Sequence, residues 1–264
     1  MNQALAAGAA AAIVERHVTD SQLPQIVVSN ARQALGQLAA WWRSQLNCKL
    51  VAVTGSNGKT TVKEMLAAIL SQCGKTLATQ GNFNNDLGMP LTLLQISKQH
   101  DYAVIEMGAN HFGEIEYMTH IAKPDVALVN NAGPAHLEGF GDIPGVARAK
   151  GEIYSGLSAQ GIAVINADDG KADVWRSLCA DKVTITFGLD SSADVTGVWS
   201  ALDRQLVIAA QGESTAVRLN LLGRHNALNA LAASASALAA GADLGAIKAG
   251  LESVQAVPGR LKLS

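Results

Sequence analysis

The richest chemistry in this sequence lies in the run VAVTGSNGKTT, residues 51–61. An apolar, β-branched stretch, KLVAVTG at 49–55, reads as a buried strand. Two glycines follow, then a lysine and two threonines opening a helical pattern. Gly55 and Gly58 permit positive φ and let an anion approach the backbone. Lys59 supplies a point charge for β- and γ-phosphates, and Thr60 supplies a hydroxyl for Mg²⁺. The first amides of the helix point at the same anion. Gly55, Ser56, Asn57, Gly58, Lys59, Thr60 and Thr61 are therefore the expected nucleotide contacts. The spacing departs from GxxxxGK[ST], because Val53 stands where the first glycine would be. Strand, glycine turn, Lys-Thr-Thr and helix together mark a phosphate-binding loop.

Glu106 closes the buried run YAVIE. A carboxylate at the carboxyl end of a parallel strand sits where open α/β sheets bind ligands, so it can hold Mg²⁺ beside Thr60. His136, in NNAGPAHLEGFG, follows the next strand and takes a functional reading from that place. Lys150, in ARAKGEIYSG, is harder to place. As a cation it would repel Mg²⁺; as a buried neutral amine it could take up CO₂ and become an anionic carbamate. Composition alone puts it on an exposed helical face. In GRHNALNA, His225, Asn226 and Asn229 can bond a base edge, and helix capping by Asn226 with a polar helical face reads equally well.

Strand-like and helix-like segments alternate along the chain. AAIVE (11–15) and QIVVS (25–29) read as strands, and 30–46 as an amphipathic helix capped by Asn30, with Trp41 and Trp42 as packing residues. Helices are expected at 59–74, 113–122 and 143–157, alternating with strands at 102–108, 126–132 and 161–168. Such alternation gives right-handed crossovers and a parallel sheet covered on both faces. From about residue 182, four short strand-like runs suggest an antiparallel sheet packed beside the parallel one. Helices at 226–241 and 244–254 follow. The fold class is thus α/β, a phosphate-loop NTPase-like, mostly parallel sheet flanked by helices, with a small antiparallel β extension.

Composition fits that class. Hydrophobic residues are 48% and charged residues 16% of 264, enough to bury a sizeable core. Aromatics are only 4%, so Ala and Gly must supply close helix-on-sheet packing. A net charge of -2 gives no electrostatic reason to propose nucleic acid or a membrane surface as partner. No apolar run is long enough to span a bilayer. The three cysteines, Cys48, Cys73 and Cys179, form no CxxC and read as buried structural thiols in a reducing cytoplasm.

The blocks TGSNGKTT, GNFNNDLGMPLTLL, VIEMGANHFGEI, NNAGPAHLEGFG, AKGEIYSGL, GRHNALNALAA and AVPGRL occur in the order seen in the Mur ligase family. The resemblance covers nearly the whole chain. Its GNFNNDLGMP and EMGANHFGEI blocks look most like the branch that adds D-Ala-D-Ala to UDP-MurNAc-tripeptide in peptidoglycan synthesis. It implies ATP and Mg²⁺ as cofactors and an acyl phosphate on the tripeptide carboxylate, attacked by the D-Ala-D-Ala amine. It implies that Lys59 binds phosphate, that Thr60 and Glu106 hold one Mg²⁺, and that His136 and carbamylated Lys150 support a second metal. Asn84 and Asn85 would lie on the substrate side, and His225, Asn226 and Asn229 near adenine or its ribose. Without the resemblance, NFNN reads as a polar loop.

Full-length members have three domains. The resemblance implies that 1–47 is the remnant of an N-terminal UDP-substrate-binding domain, 48–257 the central ATP-binding domain, and 258–264 the start of a C-terminal one. The chain then reads as a fragment truncated at both ends, expected to bind Mg-ATP without appreciable ligation because domain closure completes such a site. A sibling such as folylpolyglutamate synthase is disfavoured by the NFNN and GANHFGEI blocks. A generic GTPase is disfavoured by the lack of an NKxD-like motif.

Overall fold

The computed structural model of the protein describes residues 1–255. The AVPGRL block and the expected start of a third domain at 258–264 lie outside the described residues. In chain order the elements begin with α1 (Asn2–Ala6), β1 (Ala12–Val14), β2 (Gln25–Val27) and α2 (Ala31–Ser44). Next come β3 (Lys49–Thr54), α3 (Lys59–Leu70), β4 (Thr76–Ala78), α4 (Gly88–Leu94), β5 (Tyr102–Glu106) and α5 (Glu114–Ala122). Then follow β6 (Val126–Val129), α6 (Leu137–Phe140), α7 (Ile143–Gly151) with a 3₁₀ turn (Glu152–Gly156), β7 (Ile162–Asn166) and α8 (Ala172–Leu178). The last are β8 (Val183–Gly188), β9 (Val195–Ser200), β10 (Gln205–Ala210), β11 (Glu213–Arg218), α9 (Arg224–Ala239) and α10 (Leu244–Ser253).

Nine strands form one sheet in the order β11-β10-β9-β8-β7-β6-β3-β5-β4. From β4 through β9 all neighbours pair parallel; only β9-β10-β11 is antiparallel. The parallel part therefore reaches two strands further than the sequence pattern suggests. The antiparallel strands extend the same sheet instead of packing beside it. The strands of 183–200 carry exposed alternate residues, such as Val183 and Val198, and so resemble antiparallel strands; their neighbours β7 and β8 nevertheless run in the same direction. β1 and β2 pair with each other in a separate two-stranded sheet.

The central strands are buried on both faces, as a parallel sheet between helices requires. In β3, Leu50 and Ala52 point into the cluster made with α2, α4, α5, α7 and α8. Val51 and Val53 point into the cluster made with α3, α9 and α10. Small residues set the spacing on that second face. A Cβ on Gly250 would meet the Cα of Ile69 at 2.4 Å, so α10 lies against α3 only because that position has no side chain. The alanines of α9 are buried throughout 227–239 for the same reason.

Several boundaries move inward. Helix α3 ends at Leu70, and a turn carries the chain on to Gly74. The expected helix at 143–157 stops at Gly151 and tightens into the 3₁₀ turn. Asn30 does cap α2, its side chain accepting from the Gln33 amide at 3.0 Å. Trp42 packs against the core and donates to the Ile96 carbonyl at 2.8 Å, whereas Trp41 is exposed and does not serve as a core residue. Cys48 and Cys179 are buried, and burial pushes the Cys179 thiol up to about 12; Cys73 is exposed, contrary to the expectation for all three.

Candidate active site

The carboxyl ends of β3, β5 and β6 lie side by side, with α3 following β3 on one face of the sheet and α5 following β5 on the other. That is the crevice in which open α/β sheets bind ligands. The β3–α3 turn sits there. Gly58 takes φ 77° at the N-cap of α3, and a Cβ there would come within 2.5 Å of Asn229 Oδ1. Only glycine meets both conditions.

A lattice of amides fixes the turn. The Ser56 amide donates to the Asn131 carbonyl at 3.0 Å, and Ser56 Oγ exchanges hydrogen bonds with the Gly133 carbonyl and amide. The Asn57 amide donates to Asn131 Oδ1 at 2.9 Å, and both Asn130 and Asn131 side chains donate to the Asn57 carbonyl at 3.0 Å. Asn130 Nδ2 also reaches Asn229 Oδ1 at 2.9 Å, and Asn229 Nδ2 reaches Asn226 Oδ1 at 3.3 Å. Asn226 in turn donates to the Leu222 carbonyl. The sequence pattern does not single out Asn130, Asn131 and Gly133; the one signal it carries is a pair of asparagines directly after a buried strand.

Lys59 folds back over the turn, donating to the carbonyls of Gly55 at 2.7 Å and Ser56 at 3.2 Å. Burial lowers its ammonium pKa from the ordinary lysine value, and the nearby Glu106 carboxylate opposes that shift. Thr60 Oγ1 lies 3.4 Å from Glu106 Oε1, and Asn84 Nδ2 donates to the same oxygen at 2.8 Å. Glu106 is 2% exposed, and its Oε2 is buried without a hydrogen-bond partner among the described residues. Asn85 plays a different part: its Oδ1 accepts the Gly88 amide at 2.8 Å and so starts α4.

Lys150 is buried, not exposed as its sequence setting suggests; only 1% of it reaches solvent. Its amine lies 5.2 Å over the Phe140 ring and 3.4 Å from the Ala109 carbonyl. Burial first, and then the Lys59 charge, bring its pKa down to about 8. His136 is exposed with φ 53°, and its ring sits edge-on to Phe140 at 6.5 Å between centroids. The two residues thus flank one aromatic ring without bonding each other. Among the described residues, no three His, Cys, Asp or Glu side chains converge to hold a metal.

Beside the turn opens a cavity of about 320 Å³, of a size suited to a small ligand. Thr60, Thr61 and Glu64 line one wall, and His225, Asn226 and Asn229 another. The three α9 residues therefore stand together next to the phosphate loop. Asn226 does not cap α9, whose N-cap is Gly223 with no side-chain cap hydrogen bond. Asn226 and Asn229 instead bond each other, the Leu222 carbonyl and Asn130 while lining the cavity.

A glycine turn at the mouth of a central parallel strand, with a lysine and a threonine at the start of the next helix, defines an α/β fold of the phosphate-loop kind. Residues 53–237 match the Mur ligase middle domain. The chain belongs to the Mur ligase family. It is 50% identical to the UDP-N-acetylmuramoyl-tripeptide--D-alanyl-D-alanine ligase of Escherichia coli strain K12, over 98% of this chain and 58% of that protein. The Haemophilus influenzae protein of the same description is 47% identical over 99% of this chain and 58% of its own length. Among solved structures, MurF from Acinetobacter baumannii superposes with a TM-score of 0.92 at 44% identity, over 99% of this chain and 58% of that one. MurF from Thermotoga maritima in complex with ADP gives 0.83 at 31% identity, over 98% and 60%. The chain thus spans about 58% of the length of these curated relatives.

Proposed function

We propose that this chain carries the ATP-binding, phosphoryl-transferring centre of a ligase that joins D-Ala-D-Ala to UDP-MurNAc-tripeptide. The observation that carries the reading is the meeting of Thr60, Glu106 and Asn84 beside the phosphate loop. The two relatives cited above bear the name of that activity, and one similar structure holds ADP.

The residues fit Mg²⁺. A buried carboxylate with one unpartnered oxygen next to a threonine hydroxyl is a hard-oxygen donor set, and it leaves most positions for water and phosphate. Bound there, Mg²⁺ supplies charge neutralisation for the triphosphate. The chain's own residues do the rest. The amides of residues 55–61 cradle the β- and γ-phosphates. Lys59 leaves the Gly55 and Ser56 carbonyls to meet phosphate oxygens. His225, Asn226 and Asn229 border the nucleoside.

The tripeptide carboxylate attacks the γ-phosphorus and ADP leaves. The D-Ala-D-Ala amine then attacks the acyl carbon, and phosphate departs as the amide forms. Positioning and charge stabilisation carry such a reaction. Asn84, bonded to Glu106, and Asn85, at the start of α4, place their loop on the substrate side. Lys150 and His136 belong to a second metal position in this reading, which requires Lys150 as its carbamate. Burial and a pKa of about 8 support access to the neutral amine, whose lone pair would attack the carbon of CO₂ and, on losing a proton, leave the anionic carbamate.

By domain, we assign 48–257 to the ATP-binding unit, 1–47 to the UDP-substrate side and 258–264 to a following domain. The separate β1–β2 sheet, outside the nine-stranded one, supports the first boundary. No helix among the described residues is long and apolar enough to cross a membrane. We place the protein in the cytoplasm, which its three unpaired cysteines favour. Titration of ATP in Mg²⁺ onto the chain and onto Lys59→Ala tests the reading; equal affinity for the two would refute it.

A further inference from the structure

We propose that Lys63 and Thr79 are positioning residues that set the separation of Thr60 and Glu106, an inference that rests on the Mg-ATP reading of the site. Lys63 follows Thr60 by three positions, about one helical turn along α3. It is 2% exposed, which is unusual for a lysine. Its Nζ donates to the Thr79 carbonyl at 2.7 Å and pairs with Glu64 Oε1 at 2.8 Å. A buried ammonium is tolerated only when so paired. An apolar side chain would fill the same space without that cost, but it could not tie α3 to the end of β4.

Thr79 extends that tie to the candidate metal ligand. It is 1% exposed and directly follows β4. Its amide donates to the Val104 carbonyl at 3.0 Å, and its hydroxyl accepts the Glu106 amide at 3.0 Å. Two connections therefore run from α3 to the end of β5. One is direct, Thr60 to Glu106. The other passes through Lys63 and Thr79 to the Glu106 backbone. The loop bearing Asn84 leaves immediately after Thr79 and returns to the Glu106 carboxylate. Without the ammonium, the Thr79 carbonyl loses its donor and the fixed point of that loop is gone. Glu64, the counter-charge of Lys63, lies on the wall of the nucleotide cavity, so the pair borders the site it orders.

The test is ATP titration in Mg²⁺ and in EDTA on the wild-type chain, Lys63→Met, Thr79→Val and Thr79→Ser, with hydrogen exchange of the Glu106 amide followed by NMR. Lys63→Met keeps the stem and removes the charge. Thr79→Val keeps the shape and removes the hydroxyl, which Thr79→Ser restores. Lys63→Met and Thr79→Val are expected to bind ATP in EDTA as the wild type does and to lose about 10- to 100-fold of the affinity gained from Mg²⁺, as loss of outer-shell support does. Their Glu106 amides should exchange faster, and Thr79→Ser should behave as wild type in both assays. An unchanged Mg²⁺ gain, or equal losses with and without Mg²⁺, would overturn the proposal. If Lys63→Met does not fold, the Thr79 pair decides. If the wild type binds no ATP, or Lys59→Ala binds it equally well, the nucleotide reading fails. Slow Glu106 exchange in Thr79→Val would then still count against the clamp on its own.

Discussion

Thr60 Oγ1 and Glu106 Oε1 stand 3.4 Å apart although 46 positions separate them in the chain. The contact joins the first turn of α3 to the last residue of β5, and β5 pairs directly with β3, the strand that leads into α3. The sheet register therefore brings the hydroxyl and the carboxylate together. The other Glu106 oxygen is buried and has no hydrogen-bond partner among the described residues.

That orphan oxygen makes Glu106 costly for the fold. An unsatisfied buried polar group costs about 1–3 kcal/mol, more when charged. Glu106→Gln keeps the shape, removes the charge and retains an oxygen for the Asn84 amide. In Mg²⁺-free buffer its unfolding free energy from urea titration should stay level or rise by up to about 2 kcal/mol. In Mg²⁺ it should lose the metal-dependent part of ATP affinity. A fall in stability together with intact Mg²⁺ dependence would show that the carboxylate is structural.

Gly58→Ala should disable the site by geometry. The position has φ 77°, and the added methyl would meet Asn229 Oδ1 at 2.5 Å and Asn130 Nδ2 at 2.8 Å. Backbone strain of this kind costs about 1–3 kcal/mol. The variant should melt earlier than wild type and bind ATP more weakly both with and without Mg²⁺. Wild-type affinity in EDTA would mean that the turn does not hold the phosphates.

Lys150 gives a pH dependence with a defined sign. Its folded pKa is about 8, below the 10.5 of an ordinary lysine. Between those values the unfolded chain holds the extra proton, so stability rises as pH rises from about 8 to 10.5 and this contribution is flat below. The full effect is on the order of 3 kcal/mol. Urea midpoints of wild type and Lys150→Met across that window should converge as pH rises, with the variant the more stable at pH 7. Parallel curves would sink the assignment. In ¹³C-bicarbonate near pH 8, wild type should show a carbamate resonance that Lys150→Met lacks.

Most of the fold was legible because its signals are local. The buried runs 49–54, 102–106, 126–129 and 162–166 are short, apolar and separated by helical patterns, and the structure makes all four parallel neighbours. The glycine turn before α3 was legible for the same reason: Gly58 sets its backbone locally. Strand direction at β8 and β9 was not, since the same alternation serves either orientation. Short pieces such as β4 and α8 left too little periodicity to see. The burial of Lys150 was also invisible. That side chain is covered by residues such as Phe140 and Ala109, which no local pattern connects to it. The asparagine lattice escaped for a related reason, because its bonds link residues 73 to 99 positions apart.

That lattice yields the last prediction. Asn130 Nδ2 points at two acceptors, the Asn57 carbonyl at 3.0 Å and Asn229 Oδ1 at 2.9 Å. Asn130→Asp changes the volume hardly at all but replaces the shared donor with a carboxylate oxygen. Three acceptors then face one another in a site that is 1% exposed at Asn130. Leaving those groups unpaired costs about 1–3 kcal/mol, and the new charge adds repulsion toward any phosphate in the turn. Rotation of the Asn229 amide can relieve one contact, because it brings Nδ2 round to the carboxylate, but it breaks the bond to Asn226 Oδ1. The damage should therefore spread from the β3–α3 turn to the α9 wall of the neighbouring cavity. Asn130→Asp should lose stability at neutral pH and regain part of it as pH falls toward about 4, because burial and the facing acceptors raise the carboxyl's folded pKa above its unfolded value and the protonated carboxyl can donate again. ATP affinity at neutral pH should fall with and without Mg²⁺. A variant as stable and as tightly binding as wild type at neutral pH would show that the loop keeps its shape without the lattice.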